Sequence, residues 1–180
     1  MAPHTAREPV FKAPAIVVAG VAVLVGIHIL RQLVDQTTDN WIIAYLAFFP
    51  SRFGGGGMNL PGPGWLAYTS LVTHALLHGD WLHLAFNCAW FLAFGSIVAV
   101  RTGALRFVLL LIVCAIAGGI AFLIVHYGRT IPIVGASGAI SGLMGAAFRL
   151  LFSAMDMGGI AALQVAPRLV PRMPLAVALT

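Results

Sequence analysis

Charge is scarce in this sequence, and acidic residues are the scarcest charged class. Of the 180 residues, 5 are Asp or Glu and 10 are Lys or Arg, so charged side chains make up 8%, against about 25% in an ordinary soluble domain. Apolar residues make up 61%. A soluble core of this size cannot hide that much apolar surface from water. The composition therefore excludes soluble and disordered chains and favours a polytopic membrane protein.

Cysteines and metal-binding patterns are also few. The apolar composition excludes a disulfide-stapled secreted domain. Cys88 and Cys114 lie inside apolar runs and form no C-x-x-C pair, so we interpret them as buried apolar residues. No H-E-x-x-H occurs, and no carboxylate or cysteine completes a familiar site around His74, His78 and His83, so we expect no metal and no cofactor. The net charge of +5 comes from scattered residues, which we attribute to membrane topology and not to nucleic-acid binding.

Four apolar runs are long enough to cross a bilayer, which takes about 20 residues. They cover residues 13–33, 81–100, 105–126 and about 133–152. We therefore predict an all-α polytopic helical bundle, with a cytoplasmic tail at residues 1–12 and a membrane domain over residues 13–180. Two shorter apolar pieces between the first and second runs, residues 41–49 and 65–77, are predicted to be short interfacial or re-entrant helices.

The basic residues indicate an orientation. With the N-terminus inside, seven basic residues lie on the inner side and three on the outer side. The inner residues are Arg7, Lys12, Arg101, Arg106, Arg149, Arg168 and Arg172, and the outer residues are Arg31, Arg52 and Arg129. Because basic residues favour the cytoplasmic side, we expect a cytoplasmic N-terminus and an external connection over residues 34–80.

Two polar clusters interrupt the apolar runs. One lies around the start of the second run and the other, Gly-Ala-Ser-Gly at 135–138, lies at the start of the fourth. His83 and Asn87 are four residues apart and share one helix face. Because the second and fourth runs cross in the same direction, Ser137 should lie at a similar depth, roughly 5–10 Å below the boundary. Polar groups at membrane depth are costly and usually functional, so we predict that these three side chains meet in a polar cavity.

Small residues at four-residue spacing mark two stripes on the fourth run. The stripes are Ser137, Ser141, Gly145 and Gly138, Gly142, Ala146. Such stripes let helices approach closely, and we expect Gly142 and Gly145 to serve packing alone. The competing interpretation of Ser137 is a hydroxyl that bonds back to its own helix.

The pattern H-x-x-x-x-H-x-x-x-N at His78, His83 and Asn87, followed by Gly-Ala-Ser-Gly at 135–138, resembles the rhomboid family of intramembrane serine proteases. The resemblance covers roughly residues 15–153. It implies a six-span core, of which four full spans are present here, and a multi-pass location that we expect to be a bacterial inner membrane. It also implies cleavage of the transmembrane segments of other proteins, with the lipid bilayer as the other partner.

The resemblance assigns roles to individual residues. Ser137 matches the nucleophile, and His83 and Asn87 match the side chains that stabilise the oxyanion together with the Ser137 backbone N–H. The supporting positions are His78, which matches a histidine that orders the loop and the site, and Gly135 and Gly138, which match the glycines around the nucleophile. A helix N-terminus suits such a nucleophile because its free N–H groups face developing negative charge.

One feature departs from the family pattern. Rhomboids take their general base from a histidine on a late span, after the serine, whereas all six histidines of this sequence precede Ser137. Three explanations stay open: the chain is a fragment of a longer reading frame, it is an inactive pseudoprotease that binds transmembrane helices, or another histidine substitutes. His126 is the geometric candidate for a substitute. The general base and the oligomeric state are therefore unassigned.

Other classes of protein fit less well. A bis-histidine haem site would use His28 and His83, which have no paired partners in the outer halves of their spans. A soluble serine hydrolase would need G-x-S-x-G after a strand, but position 139 is Ala and its surroundings are helical. A transporter would need polar residues along a path, and here they cluster at one depth.

Overall fold

The computed structural model describes residues 13–54 and 60–156, and the fold within them is built from helices. The helices are α1 (Ala15–Gln32), α2 (Gln36–Leu46), α3 (Ser51–Gly54), α4 (Leu66–Thr73), α5 (Trp81–Thr102), α6 (Ala104–Val125) and α7 (Ser137–Asp156), with a 3-10 turn over His74–Leu76 between α4 and α5. The predicted tail (1–12) and the last part of the predicted membrane domain (157–180) lie outside the described residues.

Three of these helices, α1, α5 and α6, are long and apolar enough to cross a membrane. Helix α7 contains a shorter apolar stretch, Ser137–Ser153. The prediction of an all-α polytopic bundle is confirmed. The sequence predicted a fourth full span from about residue 133, whereas the helix begins four residues later.

The late start of α7 has a local cause. Ile133 forms an isolated antiparallel bridge with Phe48 in the connection between α1 and α5. The backbone just before α7 is therefore extended and hydrogen-bonded to another segment. Gly135 then takes a φ of +114°, in a region that residues with a side chain rarely adopt. The helix can begin only after this turn, at Ser137.

The long helices alternate in direction. Close approaches fix their packing: a Cβ on Gly20 of α1 would lie 2.7 Å from the Phe91 ring of α5, and one on Gly118 of α6 would lie 3.1 Å from the Cα of Gly138. Helix α7 packs against both α5 and α6, around a core that includes Phe107. The C-terminal ends of α1 and α6 and the N-terminal ends of α5 and α7 therefore share one end of the bundle, called here the loop end.

Hydrogen bonds at the loop end join the described parts of the connection between α1 and α5. Arg52 donates from Nη2 to the carbonyls of Ala44 at 2.7 Å and Pro61 at 3.1 Å, and the Thr73 hydroxyl donates to the Leu46 carbonyl at 2.8 Å. Burial lowers the pKa of the Arg52 guanidinium. The two predicted apolar pieces correspond to α2 and α4, but α2 begins earlier because Asp35 caps it and accepts from the amides of residues 37 and 38.

Candidate active site

Ser137 is the first residue of α7 and its side chain is exposed. Just before it, the Gly135 amide donates to the His74 carbonyl at 3.0 Å. That bond joins the turn before α7 to the segment before α5. The first N–H groups of a helix have no partner within the helix, so Ser137 combines an accessible hydroxyl with a helix N-terminus.

His83 and Asn87 are positioned by the start of α5. Asp80 is the N-cap residue of this helix, and its carboxylate accepts from the His83 amide at 2.8 Å. Asn87 is buried, with 5% of its surface exposed, and its Nδ2 donates to the His83 carbonyl at 2.8 Å. This bond uses one of the two N–H donors of the carboxamide, which leaves the second for another acceptor.

A groove of about 560 Å³ between α5 and α7 brings the three predicted residues together. Ser137, His83 and Asn87 line it together with Ser141, and its other lining residues are Phe86, Trp90, Phe94, Ile140, Met144 and Phe148. The groove is therefore polar near the loop end and apolar and aromatic farther along both helices.

Gly135 makes room for the histidine of this groove. A Cβ at Gly135 would lie 2.7 Å from Nε2 and 2.8 Å from Cε1 of His83, so a side chain there would have to displace the His83 ring. The position therefore requires glycine twice, for its positive φ and for the imidazole beside it.

A comparison with protein-family models places this sequence in a family. The sequence model described as Rhomboid domain matches residues 66–177, more than half of the chain. The chain belongs to the rhomboid family. No curated protein matches the chain. The match, together with three helices able to cross a bilayer, identifies this rhomboid as an integral membrane protein.

The two stripes of small residues in this rhomboid face different surroundings. Gly138 packs on Gly118 of α6, since a Cβ added to Gly138 would lie 3.4 Å from the Gly118 Cα, and a Cβ on Gly142 would overlap the Sγ of Cys114. The packing role predicted for Gly142 fits this contact. For Gly145 the described residues supply no packing partner, since none of their neighbouring atoms lies within 4 Å of its Cβ position.

Back-bonding to the helix, the competing interpretation of Ser137, is found one turn later. The Ser141 hydroxyl donates to the Ser137 carbonyl at 2.8 Å. This bond ties up the Ser141 proton. It also makes the two serines of the groove chemically unequal.

His78 and His74 support the site from the connecting segment. The His78 ring is buried and lies edge-on to the His83 ring, with 5.2 Å between centroids. Burial, followed by the nearby His83 and His28, lowers the pKa of His78 to about 4, so its ring is neutral at pH 7. His74 is also buried, and its Nδ1 lies 2.8 Å from the Ser70 carbonyl oxygen. Burial lowers the pKa of His74.

Sequence reasoning missed two residues of α1 beside this site. His28 is buried and packs edge-on against Trp81, with 4.5 Å between ring centroids. Arg31, which the sequence suggests as a topology signal, donates from Nη1 to the His78 carbonyl at 2.8 Å. Their position in the sequence could have indicated this role. Both lie near the end of the first apolar run, and that end should lie on the same side of the membrane as the polar cluster at the start of the second run.

His126, the candidate substitute base, is not among the residues that line the groove. Its ring stacks on Phe122 of the preceding turn, with 4.1 Å between centroids. Within residues 13–54 and 60–156, no three His, Cys, Asp or Glu side chains group as a metal site.

Proposed function

We propose that this rhomboid is a serine endopeptidase that cleaves transmembrane segments of other membrane proteins within the bilayer. The observation that carries the proposal is the common groove, in which the hydroxyl of Ser137, the imidazole of His83 and the carboxamide of Asn87 line one cavity. A nucleophile, oxyanion donors and space for a reacting carbonyl are the parts that acyl transfer requires.

In the proposed reaction, the Ser137 oxygen attacks the carbonyl carbon of the scissile peptide bond and gives up its proton to a base. The carbonyl oxygen becomes an oxyanion that accepts hydrogen bonds from the Ser137 backbone N–H, from Asn87 Nδ2 and from the His83 ring. The C–N bond then breaks, the amine leaves with a proton, and water hydrolyses the acyl-enzyme. One such oxyanion donor typically lowers the barrier by ~2.7–4 kcal/mol.

The walls of the groove suit an apolar substrate. Beyond the polar end, Trp90 stacks on Phe94 with 5.4 Å between centroids, and Phe94 meets Phe148 of α7 at 6.1 Å. An apolar peptide segment that leaves the bilayer between α5 and α7 would bury its side chains against these rings while its backbone reaches Ser137. We therefore propose transmembrane segments as the substrate class.

The orientation belongs to the same proposal. Seven basic residues against three favour a cytoplasmic N-terminus, which places the polar end of the groove on the external face of a bacterial inner membrane. Water needed for hydrolysis would then enter from outside, and the polar lining at the loop end offers that path.

A second candidate function is an inactive rhomboid that binds transmembrane helices without cutting them. The observation that favours it concerns the general base: His126, the candidate substitute base among the described residues, does not line the groove. The same apolar walls would serve binding in this case.

A fluorophosphonate probe tests the proposal on the purified protein in detergent. We expect labelling of the wild type and of Ser141→Ala, and loss of labelling in Ser137→Ala. Ser141 is a matched control because it lines the same groove on the same helix and its proton is committed to the Ser137 carbonyl. Equal labelling of both serine variants would contradict the nucleophile assignment. No labelling of the wild type, with photo-crosslinking to an apolar helical peptide retained, would favour the second candidate.

A further inference from the structure

Arg31 lies in the last turn of α1 and donates three side-chain hydrogen bonds. Its Nε and Nη2 donate to the two carboxylate oxygens of Asp39 on α2, at 2.7 and 3.0 Å. Its Nη1 donates to the His78 carbonyl at 2.8 Å. The guanidinium therefore joins α1, α2 and the segment that leads into α5.

This ion pair differs from an ordinary surface pair. The Arg31 and Asp39 side chains expose 9% and 19% of their surface, and the two parallel bonds form a bidentate fork. Such forks fix the orientation of the guanidinium as well as its position. The third donor of Arg31 is therefore held in one direction, toward the His78 carbonyl.

His78 lies two residues before the cap of α5. The Asp80 carboxylate accepts from the His83 amide at 2.8 Å, and the His78 ring meets the His83 ring at 5.2 Å. A bond to the His78 carbonyl therefore restrains both the segment that leads into α5 and the backbone that carries the imidazole packed edge-on against His83. His83 in turn lines the groove with Ser137.

We propose that Arg31 is a positioning residue for the active site, held by Asp39 and acting through the His78 carbonyl on the placement of His83. Arg31 does not line the groove, so its effect on chemistry passes through the residue 77–84 segment. The part of this inference that concerns catalysis rests on the proposed function. The part that concerns the anchoring of the segment can be measured without activity.

The first measurement is backbone hydrogen exchange of the full chain in detergent. Arg31→Met removes all three bonds but keeps an apolar stem of similar length, and we expect exchange over residues 77–84 to rise about 10- to 100-fold, as expected for losing a bond to a charged donor. Arg31→Lys keeps the charge with a single-point donor and should give a smaller rise. Exchange in the middle of α6 should not change.

The matched control is Asp35→Ala. Asp35 caps α2 through the amides of Thr37 and Thr38 at 2.9 and 3.0 Å and touches none of the Arg31 bonds. The control should raise exchange in α2 and leave residues 77–84 unchanged. If Asp35→Ala loosens residues 77–84 as much as Arg31→Met does, Arg31 only stabilises the packing of α2 and the proposal is overturned. Unchanged exchange over residues 77–84 in Arg31→Met overturns it as well.

The second measurement is the rate of Ser137 labelling by the fluorophosphonate probe. We expect at least a 10-fold fall in the limiting rate for Arg31→Met, with partial recovery in Arg31→Lys and less than a 2-fold change in Asp35→Ala. A limiting rate that does not change in Arg31→Met refutes the positioning role. If the wild type is not labelled at all, the proposed function fails, while hydrogen exchange still decides whether Arg31 anchors the segment.

Discussion

The two stripes of small residues on α7 have the same spacing and opposite surroundings. The open stripe, Ser137, Ser141 and Gly145, is exposed along its whole length. The packed stripe consists of Gly138, Gly142 and Ala146. Its two glycines face α6, where Gly138 meets Gly118 and Gly142 meets Cys114, and Ala146 is buried. One helix therefore presents its accessible serine on one side and its tightest contacts on the other.

The difference shows that spacing alone does not assign a function to a small residue. On the packed stripe, the absence of side chains lets two backbones approach, and a substitution should reduce stability. On the open stripe, the two serines face a cavity, and substitution of Ser137 should abolish chemistry with little effect on stability. The predictions below test this division, from the largest expected effect to the smallest.

The largest effect should come from the partners of the open stripe across the groove. We expect His83→Ala and Asn87→Ala each to slow fluorophosphonate labelling of Ser137 by about 100-fold or more, because each removes an oxyanion donor worth ~2.7–4 kcal/mol. The free energy of unfolding, measured by denaturant titration in detergent, should change less than the barrier. Met144→Ala is the control, because Met144 lines the same groove without a hydrogen-bond donor. Labelling at the wild-type rate in both variants would remove their proposed role.

The next largest effect should come from Gly135, where a substitution should affect both chemistry and stability. Gly135→Ala places a Cβ 2.7 Å from His83 Nε2 at a φ of +114°, and backbone strain of this kind costs about 1–3 kcal/mol. We expect slower labelling of Ser137 together with a lower unfolding temperature. Gly128→Ala is the control, because Gly128 also has a positive φ, +72°, but no neighbouring atom of the described residues within 4 Å of its Cβ position. Equal loss of labelling in both variants would assign the effect to strain alone.

The packed stripe itself should respond in stability. A Cβ at Gly142 overlaps Sγ of Cys114 and lies 2.7 Å from its Cβ, so rotating the thiol cannot relieve the contact. We expect Gly142→Ala to lower the free energy of unfolding by about 1–3 kcal/mol, the usual cost of overpacking. Gly145→Ala on the open stripe should be neutral or stabilising by about 0.5–1 kcal/mol, because alanine favours the helix. Equal destabilisation by Gly142→Ala and Gly145→Ala would contradict the assignment of packing to only one of the two stripes.

The smallest effect should come from Gly138. A Cβ there would lie 3.4 Å from the Gly118 Cα and 3.8 Å from the Cys114 carbonyl oxygen, which are ordinary contact distances. We expect Gly138→Ala to change the free energy of unfolding by less than about 1 kcal/mol, since the added methyl group makes only ordinary contacts and alanine favours the helix. A loss of several kcal/mol would mean that α6 and α7 cannot separate by even a few tenths of an ångström.

Much of the fold could be predicted from the sequence because the bilayer imposes a simple rule. A helix that crosses it needs a long apolar run, and the runs behind α1, α5 and α6 are visible in the sequence. The start of α7 could not be predicted in this way. Ile133 is apolar and extends the run, but its backbone pairs with Phe48, which lies far earlier in the chain, and no local pattern announces that pairing.

The candidate site divides in the same manner. The shared face of His83 and Asn87 follows from a four-residue spacing, and the depth of Ser137 follows from its distance to the end of its run. Arg31 could not be assigned in this way, because a basic residue at the end of a span is typical of a topology signal. Its bonds to Asp39 and to the His78 carbonyl depend on where α2 and the segment before α5 lie relative to the end of α1.

The sequence by itself determined that the protein is an all-α membrane protein, where three of its spans lie and which polar residues interrupt the apolar runs. These features follow from composition and local spacing, because a bilayer requires long apolar helices. Only the tertiary structure decided which small residues of α7 face α6 and which face the groove. It also decided where α7 begins and what Arg31 binds. These features arise from contacts between segments far apart in the chain, and such contacts depend on the packing of the whole bundle.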